Sequence, residues 1–241
     1  MVSSLPAFVS IIAIVLAAGL STRMGKPKQT LAIDGKPMLQ KVLEIFRKTK
    51  VDRAVVVLGA GEHEVRSRVR FKGEMVVFNP KYAEGMSGSL KLGLTAAGPW
   101  VEAMIVALGD QPYLSPATVD KMIRAYRRSG APVVVPVYNG RRGNPVLFDR
   151  STFADVMSIR GDEGARSVVE KNRRTLLEVP VSDRGVMTDI DTPADYRKAT
   201  STLRGPVNPS VKSGTVSKSS GKRPRLRQAK RAGPATSRTG R

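Results

Sequence analysis

The chain has 241 residues, 41% of them hydrophobic, enough for one sizeable α/β domain with or without a tail. It has no cysteine, which excludes disulfides, cysteine-based zinc fingers and thiol nucleophiles and fits a reducing cytoplasm. The formal charge of +21 is uneven: from Gly205 onward there are ten Lys or Arg and no Asp or Glu, which leaves about +11 on the first 204 residues.

The first apolar run, residues 8–20, reads as a buried strand over 9–16. It is too short to cross a bilayer as a helix, and no Lys or Arg precedes Arg23, so neither a membrane span nor a signal peptide is expected. The strand runs into LAAGLSTRMGKPK at residues 16–28. In an open α/β sheet, ligands bind beyond the carboxyl ends of the strands, which is where this loop falls. Ala17, Ala18 and Gly19 are small enough to let backbone N–H groups approach a ligand. Arg23, Lys26 and Lys28 place three cations within six residues, as a triphosphate and a departing pyrophosphate require. The loop matches neither the GxxxxGK[ST] nor the GxGxxG pattern. Small residues alone would also suit an ordinary strand–helix turn; the cation cluster favours phosphate binding.

Further strands are expected over 54–58, 75–78, 104–108, 132–137, 145–148 and 176–179. Most are continuous Val/Ile/Leu/Ala runs, the pattern of strands covered on both faces. Helices are expected over 37–48, 62–70, 87–97, 115–128, 162–171 and 193–202, with Ser115 before Pro116 as an N-cap. Asn139-Gly140 signals one hairpin within the alternation. Strands alternating with helices predict an α/β fold, a doubly wound sheet with helices on both faces. The only histidine, His63, falls in a charged helical stretch and reads as a surface residue. Residues 1–204 are expected to form the catalytic domain. Residues 205–241, rich in Gly, Pro, Ser, Lys and Arg, are expected to form a disordered basic tail.

The strand at 104–108 ends in GDQP, residues 109–112, which puts Asp110 at the same sheet edge as the 16–28 loop. Magnesium prefers a few carboxylates plus phosphate oxygens and water, a role that suits Asp110, although an Asp before Pro also serves ordinary turns. Asp189 and Asp191 fall on one side of an extended stretch, and either could complete a site with Asp110. Asp191 or Thr192 could equally cap the helix at 193, and capping by one residue leaves another free to bind metal.

Together these segments resemble the MobA-like nucleotidyltransferases, and within them the molybdenum cofactor cytidylyltransferases. The resemblance rests on LAAGLSTRMGKPK, on GMSGSL (85–90), GDQP (109–112), RGNPVLF (142–148), GDEGAR (161–166) and DIDTP (189–193), in that order, and spans about residues 10–200. It implies an α/β, Rossmann-like nucleotidyltransferase fold with a mostly parallel, mixed central sheet flanked by helices, and transfer of CMP from CTP to the terminal phosphate of molybdenum-loaded molybdopterin, with Mg2+ as cofactor. It implies that Leu16, Ala17, Ala18 and Gly19 line the nucleotide, that Arg23 and Lys28 hold phosphates, and that Asp110 binds the metal with Asp189 or Asp191. Gly85, Ser87 and Ser89 would lie near base and ribose, and Asn144, Asp162 and Arg166 near the pterin. Ala18 stands where guanylyltransferase relatives carry a second glycine, which favours CTP by one methyl group, a difference worth only ~1–3 kcal/mol. GTP, or a sugar or alditol phosphate as acceptor, is the alternative within the class. A different class is a nucleic-acid-binding protein acting through the basic tail, although that tail has no aromatic residue for stacking. The product's recipient would be an apo-molybdoenzyme or its maturation chaperone.

Overall fold

The computed structural model describes residues 10–201, residue 163 apart. The expected basic tail and the first residues of the 8–20 run lie outside the described residues. In chain order the strands are β1 (Ser10–Ala17), β2 (Ala32–Ile33), β3 (Lys36–Pro37), β4 (Arg53–Leu58), β5 (Met75–Phe78), β6 (Val101–Leu108), β7 (Val133–Tyr138), β8 (Arg141–Arg142), β9 (Val146–Asp149) and β10 (Leu177–Pro180). The helices are α1 (Met38–Phe46), α2 (Glu62–Arg68), α3 (Met86–Ala97), α4 (Pro116–Ser129), α5 (Phe153–Ser158), α6 (Arg166–Lys171) and α7 (Pro193–Ser201).

The main sheet runs β10-β7-β9-β6-β1-β4-β5, with β8 paired to β7 at its side. β9 is antiparallel to both β6 and β7, and β8 is antiparallel to β7; every other pair is parallel. This is the expected mixed, mostly parallel sheet. β1 is central, and Ile11 to Val15 are fully buried because both faces of the strand are covered. Alternate residues serve opposite layers. Ile11, Ala13 and Val15 pack with Leu39 and Leu43 of α1 and with Met122 and Ile123 of α4. Ile12, Ile14 and Leu16 pack with Leu90 and Leu94 of α3. Gly93 brings α3 close to the sheet: a Cβ there would lie 2.6 Å from Ile14 Cγ2.

Ser115 Oγ accepts from Ala117 N–H at the start of α4, the expected cap. Asn139 and Gly140, at φ 48° and 73°, make the turn between β7 and β8, as a two-residue hairpin with both central residues at positive φ requires. α6 is shorter than expected. Gly161 and Gly164 sit at φ 62° and 56°, which breaks the helical run, and the helix begins only at Arg166. The short α5 and the β2–β3 pair were not anticipated. That pair belongs to a small third cluster of Leu31, Ile33, Met38 and Ile190, against which Tyr196 of α7 packs. Tyr196 donates its hydroxyl to Ala32 O at 3.0 Å. α7 is thereby fastened next to the 16–28 loop, and the DIDTP segment with it.

Candidate active site

Successive strands run outward from β1 through β4 to β5, and the chain then returns to β6 on the other side of β1. The carboxyl ends of β1 and β6 therefore flank a topological switch point, where α/β sheets open a crevice. A cleft of about 550 Å³ lies there.

The loop after β1 is tied down by its carbonyls. Leu16 O accepts from Gly109 N–H (2.9 Å), Ala17 O from Gln29 Nε2 (3.0 Å) and Ala18 O from Ala60 N–H (3.3 Å). Ser21 adopts the left-handed conformation (φ 53°), and its Oγ accepts from Lys28 N–H at 3.2 Å. That turn folds the chain back and aims Lys28 inward. Gly109 permits the approach of β6: a Cβ there would meet both Ala17 Cβ and Leu16 O at 3.1 Å. Asp110 follows directly, and its carbonyl accepts from Ile190 N–H at 3.1 Å, which draws Asp189 and Asp191 to the same spot.

Lys28 Nζ sits between two carboxylates. It donates to Asp110 Oδ2 and, at 2.6 Å, to Asp191 Oδ1, while Arg23 reaches Asp191 Oδ2 at 3.4 Å. Asp189 accepts from Gln111 Nε2 at 2.5 Å. Burial pushes the Asp110 carboxyl above its ordinary pKa, and the Lys28 charge offsets only part of this. For Lys28, burial alone would lower the pKa, but the charges and hydrogen bonds of Asp110 and Asp191 outweigh it and hold the ammonium above its usual value. Thr192 and Asp195 cap α7 reciprocally: Thr192 N–H and Oγ1 donate to Asp195 Oδ2, and Asp195 N–H donates to Thr192 Oγ1. Capping thus falls to Thr192, and Asp191 is left to face the cleft.

Asp110, Asp189 and Asp191 all line the cleft, yet no group of three or more Asp, Glu, His or Cys side chains among the described residues forms a ready metal cage. The donor set still fits a hard divalent cation. Asp110 Oδ1 is buried without a hydrogen-bond partner, and Mg2+-type ions take one or two carboxylates and complete their shell with phosphate oxygens and water. Asp110 with Asp191 or Asp189 are the residues that would hold it.

Of the other anticipated residues, Leu16, Ala18, Gly19, Gly85, Ser89 and Asp162 line the cleft. Ala17 is buried beneath it. Ser89 Oγ accepts from Asn79 Nδ2, and Asp162 Oδ1 accepts from Met86 N–H at the start of α3. Ser87 is buried beside the cleft, its N–H bound to Gly161 O. Asn144, Arg166 and Lys26 do not line the cleft. Asn144 N–H is bound to Val186 O, and Arg166 and Lys26 are exposed. His63 is fully exposed, as its setting suggested. Gln29, Gln111 and Tyr82 were not anticipated. The two glutamines are each 2% exposed, and each keeps one buried oxygen without a partner.

The MobA-like NTP transferase domain profile matches residues 13–176, most of the described chain and every strand that flanks the cleft. The chain belongs to the MobA-like NTP transferase family. Within reach of that family it is 28% identical to the molybdenum cofactor cytidylyltransferase of Escherichia coli (strain K12), over 76% of this chain and 92% of that protein. It is 30% identical to the nicotine blue oxidoreductase of Paenarthrobacter nicotinovorans, over 74% of this chain and 91% of that one. Among solved structures, Rv0371c of Mycobacterium tuberculosis H37Rv in complex with manganese superimposes with a TM-score of 0.70 at 30% identity, covering 80% of this chain and 99% of the other. Among the described residues, no helix is long and apolar enough to cross a membrane.

Proposed function

We propose that this member of the family transfers CMP from CTP to the terminal phosphate of molybdenum-loaded molybdopterin, giving molybdopterin cytosine dinucleotide and pyrophosphate. The observation that carries the reading is the Lys28 ammonium set between Asp110 and Asp191 at the mouth of the β1 loop. Cationic and carboxylate groups at one point serve a substrate with several phosphate charges and a counter-cation. The likeness to the E. coli cytidylyltransferase supports this acceptor, and Ala18 supports CTP over GTP.

A divalent cation, Mg2+ in this proposal, would neutralise phosphate charge when held by Asp110 with Asp191 or Asp189. The chain's own residues do the rest by positioning and charge. Arg23 and Lys28 bind the β- and γ-phosphates. An acceptor phosphate oxygen attacks the α-phosphorus in line; the new P–O bond forms as the bond to pyrophosphate breaks, and the pair of electrons leaves on pyrophosphate beside Arg23 and Lys28. The acceptor is already an anion, so the step needs no strong general base, in keeping with a chain whose one histidine is exposed.

The test is pyrophosphate release by the full chain with a divalent cation, molybdenum-loaded molybdopterin, and CTP or GTP. Release with CTP and little with GTP supports the proposal. A preference for GTP overturns the base, and NTP binding without release overturns the acceptor.

A further inference from the structure

The residues assigned to phosphates and metal are charged, those assigned near base and ribose are small, and none of them offers a broad surface for the flat face of a nucleobase. The sheet order fixes where that surface must be. Lys28, Asp110 and Asp191 gather on the β6 side of β1, whereas β4 and β5 lie on its other side. A nucleotide with its phosphates at Lys28 that crosses the Ala18 loop therefore reaches the residues following β4 and β5. Those are Gly59, directly after β4, and Tyr82, in the turn Tyr82–Glu84 beyond β5.

We propose that Tyr82 is the stacking wall for the nucleobase and that Gly59 seats it. This rests on the reading of the cleft as an NTP site. Tyr82 is the only aromatic side chain that lines the cleft among the described residues, and it packs against the cluster that contains Leu16 and Ala18. Leu20 and Met86, 52% and 38% exposed, add apolar surface to the same cleft. Base–aromatic stacking needs such a ring, and it tolerates any base because every base has a π-face.

Gly59 explains the ring's position. A Cβ on Gly59 would fall 2.6 Å from Tyr82 Cβ, 2.8 Å from Ala18 Cβ and 2.5 Å from Ala18 O. Tyr82 and Ala18 therefore close in on the bare Cα of a buried glycine, and any other residue there would push them away. Ala18 cannot yield in turn, because its carbonyl is bound to Ala60 N–H. Tyr82 Cβ and the Ala18 methyl thus meet over Gly59 and form one continuous wall. Such a backing is what lets a single methyl group discriminate between bases at all.

The test is titration calorimetry of the full chain with CTP and with GTP in the presence of Mg2+, alongside thermal melts. Tyr82→Ala is expected to weaken binding of both nucleotides about tenfold or more, with Tyr82→Phe within about twofold of wild type. Gly59→Ala is expected to weaken both as well, by displacing the wall. Should Tyr82→Ala melt early, Tyr82→Leu keeps apolar bulk without a π-face and is expected to show the same loss. Affinities within twofold of wild type in the folded Ala or Leu variant overturn the proposal. So does a Tyr82→Phe loss as large as that of Ala, which would make the hydroxyl the contact. The readout is binding, so a wild type that binds CTP but transfers nothing to molybdopterin sinks only the acceptor assignment. A wild type that binds neither nucleotide sinks both readings.

Discussion

Lys28→Met isolates the buried ion pair from the chemistry it serves. The Lys28 and Asp110 side chains are 15% and 12% exposed, and among the described residues Lys28 is the only partner of the Asp110 carboxylate, whose Oδ1 has none. Removing one member of a buried pair costs about 3–5 kcal/mol, because the other charge stays buried without compensation. Here the lower end applies, since burial has already raised the Asp110 pKa and the carboxyl can take up a proton instead of remaining charged. For a domain of about 200 residues, each kcal/mol moves Tm by about 2–4 °C, so about 3 kcal/mol predicts a fall of about 6–12 °C.

The decisive assay is a double-mutant cycle by calorimetric melting at pH 7, with Asp110→Asn as the second change. If the pair accounts for the loss, the double variant should melt well above the sum of the two single losses, with a coupling of about 1–3 kcal/mol. A Lys28→Met shift below about 2 °C, or strictly additive losses, would refute the reasoning and leave Lys28 as a solvated loop residue. Stability is measured without substrate, so the result does not depend on which NTP or acceptor the enzyme uses.

Asp110→Ala should lower kcat for pyrophosphate release at least about 100-fold, because a carboxylate proposed to hold the metal would be worth several kcal/mol in the transition state; retention of most activity removes it from that role. Gly93→Ala should lower Tm by a few degrees despite the better helix propensity of Ala, since the new Cβ lies 2.6 Å from Ile14 Cγ2 and 3.1 Å from Val57 Cγ2 and overpacking costs about 1–3 kcal/mol; an unchanged or raised Tm shows that α3 can shift freely. Tyr126, 4% exposed, donates to Asp149 Oδ2 at 2.6 Å. Burial alone would raise the Asp149 pKa, but the hydrogen bonds from Ser151 and Tyr126 and those from the backbone bring it below the ordinary value. A depressed folded-state pKa stabilises above the unfolded value of about 3.9 and ceases to do so as pH falls through the folded value. Tyr126→Phe should therefore cost about 1 kcal/mol in urea unfolding at pH 7, with the difference shrinking below about pH 4; a difference independent of pH points to lost packing instead.

The fold was legible where burial on both faces imposed a continuous apolar run, as in β1, β4 and β6. The reversal of β9 against β7 was announced by the Asn139-Gly140 hairpin between the two apolar runs, but its insertion between β7 and β6 was not, because Val146, Leu147 and Phe148 carry no mark of which strands they pair with. α5 is six residues long, below the length at which helical periodicity is visible. The Gly161 and Gly164 turns were written in the sequence as glycines, but their positive φ values emerge only where Gly161 meets the start of α3, its carbonyl accepting from Ser87 N–H. The convergence of the charged residues could be read because Asp110, directly after a buried strand, falls at the same sheet edge as the 16–28 loop. Lys28, Asp110 and Asp191 are 82 and 163 residues apart, and only their common position at one sheet edge brings them together. Tyr82 could not be read in the same way, because a tyrosine in a loop carries no charge signal and its setting depends on Gly59, 23 positions earlier.

The site is thus divided by the sheet itself. β1 stands at the centre; the residues directly after it, Ala18 and Gly19, contribute backbone and small side chains that suit close contact, and its loop then sends Lys28 to Asp110 and Asp191. The β6 side contributes Asp110 and fastens Asp189 and Asp191 through the Asp110 carbonyl, so charge gathers where phosphates and a cation would react. The β4–β5 side contributes a glycine and an aromatic ring, so apolar surface gathers where a base would rest. A nucleotide has the same polarity, with a charged end and a flat apolar end joined by a short ribose. Substitutions on the β6 side should accordingly act mainly on kcat, where charge develops during transfer. Substitutions at Gly59, Ala18 or Tyr82 should act mainly on binding, which is shared by ground and transition states.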